Sequence, residues 1–365
     1  MTDVTIATSS APASGATIQT PRRVLSGMRS TGRLHLGHWM GALSNWIALQ
    51  NQGYECFFMV ADWHALTTDY ADPSRLRENM RESVLGWLAA GVDPSKCTIF
   101  IQSLVKEHAE LALLLGMFTP VSMLELNPTY KDQIVQLQNK EVETYGFLGY
   151  PVLQAADILA YRATHVPVGE DQLPHLELTR EIARRVNFRH GGPIEPVTNR
   201  PTNPIFPEPE ALLSPVPKLT GLDGRKMSKS YDNAIYLNDD AKTVEQKVRS
   251  MVTDTQRVRR SDPGHPENCT VCKYQTVFNP EQAPSLHEGC RTATIGCIDN
   301  KKALATAINN LLEPMRERRS YYESHPDELE DILETGTARA RAEAQATMEI
   351  VRERLRLVTR VRDIL

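Results

Sequence analysis

"VLSGMRSTGRLHLGH", residues 24–38, passes from an apolar run through a turn-forming stretch into a helical pattern with no linker between them. The run 24–28 reads as a short strand, "RSTG" as a turn, and the apolar spacing from Gly37 to about Gln50 as a helix. A strand that delivers the chain straight into a helix is the first half of a βαβ unit. The alternation continues outward. "ECFFMVADWHAL" (55–66) reads as a buried strand, about 74–90 as a helix, "CTIFIQS" (97–103) as a strand, and about 107–117 as another helix. This order predicts an α/β fold class, a Rossmann-like parallel sheet with helices on both faces. Such sheets bind ligands beyond the carboxyl ends of their strands, which is where His35 and His38 fall.

At 365 residues the chain is expected to hold two domains. Its 41% apolar and 24% charged residues are ordinary for a globular protein. No apolar stretch is long enough to cross a bilayer and the N-terminus lacks the hydrophobic block of a secretory signal, so a cytoplasmic protein without membrane association is expected. Residues 1–22, rich in Thr, Ala and Ser, read as a disordered tail. Residues 23–235 form the α/β domain, with a proline-rich surface connection at 190–218, and 236–365 an α-helical second domain. The net charge of −4 hides an uneven distribution, because 339–365 holds seven arginines against four carboxylates and "RVRR" (257–260) adds a basic knot. These are either solvated helix faces laced with ion pairs or a docking patch for a polyanion.

Histidines at i and i+3 share a helix face, so a metal pair is geometrically possible, but no further ligands stand nearby. A phosphate site fits better, because helix N-terminal N–H groups and the macrodipole favour an anion there and imidazoles donate to phosphate oxygens. Gly37, without a side chain, then allows a phosphate or a flat base to approach the backbone. A second candidate is "GRKMSKS" (224–230), whose Lys226 and Lys229 make a flexible basic loop able to close over a triphosphate; alone it is equally a solvated turn.

Taken together, "HLGH" and "KMSKS" resemble the paired signature of class I aminoacyl-tRNA synthetases. Within that class, "GYPVLQAADILAYRATHVPVGEDQ" (149–172) is similar to the tryptophanyl-tRNA synthetase family. Tyrosyl-tRNA synthetases are the nearest alternative, with a Gly-x-Asp-Gln variant expected in place of the "GEDQ" found here. The resemblance implies ATP and Mg²⁺ as reaction partners, L-tryptophan and tRNA(Trp) as substrates, and a homodimer. It implies an ATP site of Arg29, Ser30, Thr31, Gly37, His38, Gly169, Glu170, Asp171 and Leu219, closed by Lys226, Met227, Ser228, Lys229 and Ser230. Lys226 and Lys229 would stabilise the leaving pyrophosphate, with His35 and His38 donating to the phosphates. His64 and Gln172 would border the tryptophan pocket. Tyr150, Gln154 and Asp157, at i, i+4 and i+7, share a helix face, with Pro151 suited to the first turn. Asp157 stands in an apolar run where an unpartnered carboxylate is costly; its partner is an indole N–H or an internal group. A synthetase-like RNA-binding protein without activity, and a small-molecule adenylyltransferase, are the alternatives from other classes.

Four of the six cysteines crowd together as Cys269, Cys272, Cys290 and Cys297. In a cytoplasmic chain that clustering points to thiolate ligation of a metal. Zinc suits the C-x₂-C pair, though a ribbon normally closes with a second tight pair. Some members of the resembling family carry a [4Fe–4S] cluster whose pattern ends in C-x₆-C-x₂-C. Here Asn300 stands at the last position, and Cys272 is the available fourth ligand. The resemblance assigns tRNA binding to the helical domain 236–365.

Overall fold

The computed structural model describes residues 22–128, 130, 144–213, 219–228 and 231–364. Nearly all of the expected N-terminal tail, and Lys229 and Ser230 of the basic loop, lie outside the described residues.

Five parallel strands form one sheet, β1 (Arg23–Arg29), β2 (Glu55–Ala61), β3 (Cys97–Ile101), β4 (His165–Val168) and β5 (Glu210–Leu213), in the order β3-β2-β1-β4-β5. Register pairs Leu25 with Phe57 and Phe57 with Thr98. β2 has partners on both sides and helices on both faces, which explains its nearly unbroken aromatic and aliphatic sequence. The pleat sorts its side chains. Cys56, Phe58 and Val60 enter one core with Trp46, which stacks on Phe58 at 4.4 Å and meets Trp87 edge-on at 5.1 Å. Phe57, Met59 and Ala61 enter the other, where Tyr161 stacks on Phe57 at 4.9 Å.

The first expected helix is a composite: one turn, α1 (Leu36–His38), a π-helical segment (Trp39–Leu43), and α2 (Ser44–Asn51). π segments widen a helix locally and recur beside functional sites. α3 (Asp62–Asp69) corrects the reading of 55–66 as all strand. Gln102 Oε1 accepts the Trp63 N–H at 3.1 Å and Asp62 accepts the Ser103 N–H at 3.0 Å, so polar side chains turn the chain although its apolar run continues. Next come α4 (Leu76–Ala90), closed by the left-handed Gly91, then α5 (Glu107–Gly116), α6 (Val121–Glu125) and α7 (Tyr145–Ala160). Thr144 caps α7, so Pro151 lies inside that helix and not in its first turn. α8 (Leu173–His190) leads to the proline-rich connection, which supplies the edge strand β5 that sequence patterning did not reveal.

After residue 236 come α9 (Ala241–Ser250), α10 (Thr270–Phe278), α11 (Ala283–Arg291), α12 (Cys297–Ser324) and α13 (Pro326–Arg354). Leu304, Ile308 and Leu312 of α12 join the Trp46 core, while Ala340, Ala344, Met348 and Val351 of α13 join the Tyr161 core. The C-terminal helices therefore embrace both faces of the sheet. This accounts for several arginines of the basic C-terminal stretch: Arg339 pairs with Glu55, Arg352 with Glu110, and Arg341 donates to the Leu104 carbonyl. Within "RVRR", Arg257 is buried. None of the described helices is long and apolar enough to cross a membrane.

α13 also covers β3, the sheet edge that would otherwise be open to pairing with another chain. Contact is made through Gly336, where an added Cβ would stand 1.9 Å from the Ile99 carbonyl oxygen. Gly336→Ala should force helix and strand apart and lower stability by about 1–3 kcal/mol in urea unfolding. Gly116→Ala, with nothing within 4 Å of the added carbon, should cause no such loss. Equal midpoints for the two variants would contradict this packing.

Candidate active site

Strand order reverses between β1 and β4, and the crevice beyond their carboxyl ends is the natural ligand site of this sheet. From β1 the chain passes through buried Ser30, whose Oγ has no hydrogen-bond partner, to the two histidines. His35 is the N-cap of α1: its Nδ1 accepts the Gly37 N–H at 3.1 Å, and His38 Nδ1 accepts the His35 N–H at 3.1 Å. With both Nδ1 atoms accepting, the ring N–H of each lies on Nε2. The rings lie 3.8 Å apart. The space beside Gly37, expected to be open, is filled: a Cβ there would stand 2.9 Å from the His35 ring and 3.4 Å from the Met227 sulfur. The tight neighbour is the His35 ring, so glycine at 37 leaves room for that ring to cap the turn, with Met227 in ordinary contact.

Their approach is built into the backbone. The Leu36 N–H donates to the Ile235 carbonyl and the Leu237 N–H to the Leu34 carbonyl, each at 2.9 Å. Asn233, which sequence reasoning missed, organises the loop before that ladder. Its Oδ1 accepts the Ser228 N–H at 2.8 Å, and its Nδ2 donates to Asp223 at 2.8 Å and to the Lys226 carbonyl at 3.1 Å. Met227 is buried, Ser228 and Leu219 are half-buried, and Lys226 is exposed. Across the crevice, Gly169, Glu170 and Asp171 are exposed in the turn after β4. A Cβ at Gly169 would meet the tip of the Asp171 side chain at 2.9 Å, and Gln172 donates to Asp171 at 3.0 Å. Arg29 ends β1, and the Thr31 N–H donates to the Arg29 carbonyl at 2.9 Å in the turn that follows.

Beneath this crevice, α3, α5, α7 and the end of β3 enclose a polar cluster in an apolar surround. Asp157 on α7 is 1% exposed, and its carboxylate accepts from Gln102 Nε2 at 2.8 and 2.9 Å, His64 Nε2 at 2.8 Å and His108 Nδ1 at 2.5 Å. Burial alone would raise its pKa; hydrogen bonds from His108 and His64 more than reverse this, holding the carboxyl below the usual carboxylate range. The expected face of Tyr150, Gln154 and Asp157 exists on α7, and His64 meets the Tyr150 ring edge-on at 6.2 Å. A second chain runs beside it: Asn127 Nδ2 donates to His175 Nδ1 at 3.2 Å, so His175 donates from Nε2 to Tyr150 Oη at 2.7 Å. Gln102, His108, Asn127 and His175 were not anticipated. His108 had a visible signal, a titratable residue in the apolar series Val105, His108, Leu111, Leu115.

The four cysteines come together around α10, α11 and the start of α12, with Cys297 the least buried. Asn300 Nδ2 lies 3.5 Å from Cys272 Sγ, and Arg257 Nη1 3.6 Å from Cys290 Sγ and 4.0 Å from Cys297 Sγ. Arg257 Nε is buried without a partner. Among the described residues, no three histidine, cysteine or carboxylate side chains converge on a single metal position.

A family model for class I tRNA synthetases (W and Y) matches residues 17–313. The tryptophan–tRNA ligase of Thermotoga maritima is 54% identical over 92% of this chain and 99% of its own length. That of Aquifex aeolicus is 44% identical, covering 92% of this chain and 100% of its own. The crystal structure of Campylobacter jejuni tryptophanyl-tRNA synthetase with ADP and tryptophan superposes with a TM-score of 0.79 at 34% identity, over 91% of this chain and 99% of that one.

Burial pushes the His175 imidazole down to about 4 from its ordinary 6.5. Between those values the unfolded chain binds a proton that the folded chain excludes, so this contribution is complete above pH 6.5 and is lost as pH falls toward 4. His175→Asn should flatten the decline in stability across that window, by on the order of 1–3 kcal/mol in urea titrations. Parallel curves for variant and parent would show that His175 titrates normally.

Proposed function

The chain belongs to the class I tRNA synthetases of the tryptophan and tyrosine type, and from that premise we infer that it activates L-tryptophan with ATP and transfers the product to tRNA(Trp). The geometric observation that carries the reading is the junction of the histidine motif with the basic loop at the switch point of the sheet, directly above a buried carboxylate. A tryptophan carboxylate oxygen attacks the α-phosphorus of ATP, the bond to the bridging oxygen breaks, and pyrophosphate leaves. A hydroxyl of the terminal tRNA ribose then attacks the aminoacyl carbonyl, and AMP departs.

Neither step needs a protein nucleophile, so catalysis rests on in-line positioning and on stabilising charge as it moves onto pyrophosphate. His35 and His38 donate from Nε2 to the phosphates, and Lys226, with Lys229 and Ser230 beyond the described residues, brings positive charge from the loop. Mg²⁺ bound with ATP offsets phosphate charge. Arg29, Ser30, Thr31, Gly169, Glu170, Asp171 and Leu219 line the nucleotide. Asp157 accepts the indole N–H, with Tyr150, Gln154, His64 and Gln172 around the ring. The enzyme works in the cytoplasm, and residues 236–365 engage tRNA. Exposed Leu113, Met117, Val121, Leu126 and Tyr145 on neighbouring ends of α5, α6 and α7 make an apolar face suited to a homodimer. Light scattering should then give twice the 41.0 kDa chain mass, and Met117→Glu should shift it toward the monomer.

For the cysteines we propose a [4Fe–4S] cluster in preference to zinc. A single zinc ion needs all its sulfurs about 2.3 Å from one point, whereas a cluster spreads its ligands. The buried Arg257 guanidinium suits an anionic cluster, and the contact of Asn300 with Cys272 sets that thiol beside the position of the absent family ligand. Cys269, Cys272, Cys290 and Cys297 would hold the cluster, which would brace the helical region as a structural element.

ATP–pyrophosphate exchange should depend on tryptophan and be negligible with tyrosine; equal stimulation would overturn the assignment. Asp157→Ala should raise the tryptophan KM and lower kcat/KM by about 10- to 100-fold, the loss of one specific polar contact. Anaerobic purification should yield about four irons and four labile sulfides per chain, lost in Cys272→Ser. Stoichiometric zinc would reverse the choice of metal.

A further inference from the structure

His108 reaches no crevice, is 0% exposed, and yet uses both ring nitrogens. Nδ1 donates to Asp157 Oδ1, and Nε2 meets Tyr161 Oη at 2.7 Å. Tyr161 is buried in turn, stacked on Phe57 of β2 and tilted against Phe100 of β3 at 5.2 Å. The ring thus ties α5 to α7 and both to the sheet, with no freedom to rotate.

A carboxylate offers about four lone-pair positions. Gln102 spans both oxygens from the end of β3, His108 takes Oδ1 from behind, and His64 takes Oδ2. His64 is the more exposed of the two histidines and the one beside Tyr150. These four bonds fill the carboxylate, so an indole N–H arriving from the crevice reaches Oδ2 by taking the place of His64, while Gln102 and the fully buried His108 keep their hold on Oδ1. Resting on the reading of Asp157 as the acceptor of the indole N–H, we propose that His108 is a positioning residue for amino-acid recognition. Through its bond to Oδ1 and its anchor on Tyr161, it aims Oδ2 at the pocket. Without it, a carboxylate in an apolar surround loses a strong partner and turns or takes up a proton.

The test compares exchange supported by L-tryptophan with exchange supported by 3-benzothienyl-L-alanine, an isostere with sulfur in place of the indole N–H. The parent enzyme should prefer tryptophan by about 10- to 100-fold in kcat/KM. His108→Leu should erase most of that preference through the tryptophan KM, leaving the ATP KM and saturated rate little changed. His108→Asn, whose amide keeps a donor near the Nδ1 position, should restore much of it. If His108→Leu fails to fold, Tyr161→Phe, which frees only the far nitrogen, should give a smaller loss in the same direction. A parent enzyme that uses both amino acids equally overturns the indole–Asp157 reading itself. A parent that discriminates, with variants that keep the same ratio or lose both activities in proportion, overturns the role of His108.

Discussion

Everything functional in this molecule hangs on the position of β1, paired in parallel with β2 on one side and β4 on the other. A strand in that place can only deliver its carboxyl end into the cleft where the chain reverses its order of winding. The histidine turn follows β1 directly and the "GEDQ" turn follows β4, so the two walls of the crevice are consequences of strand order. The sheet holds that geometry because each face is packed against a continuous core.

Charge is handled differently at the two depths of the site. At the rim, His35 and His38 each accept a backbone N–H through Nδ1. Those two bonds fix how the rings sit in the turn. In the floor, Asp157 would be costly to bury alone, and hydrogen bonds from Gln102, His64 and His108 stabilise it within an apolar surround. Those partners come from three separate elements, so the carboxylate also fixes how the helices and the sheet meet.

The loop with Lys226 is secured at both of its described limbs by one amide, Asn233, while its lysine stays exposed. The strand-like ladder from Ile235 to Leu237 then passes this constraint to the histidine turn and onward into α9.

Strand–helix alternation, the parallel sheet and the histidine and lysine motifs were legible in the chain because they are local: period, turn residues and short spacings carry them. Asp157 was legible as an anomaly, a charge in an apolar run, and the cysteines as a cluster. What stayed hidden depended on residues distant in sequence. The break after Ala61 is made by Gln102 in the turn just past β3, β5 is a strand only because β4 offers it a ladder, and α13 reads as an ordinary helix until Gly336 meets the β3 backbone. The sequence by itself therefore determined which chemistry this protein carries. Which groups hold Asp157, what fills the space at Gly37, and where the C-terminal helices lie were decided only by tertiary structure, because each is a contact between elements whose meeting no local pattern encodes.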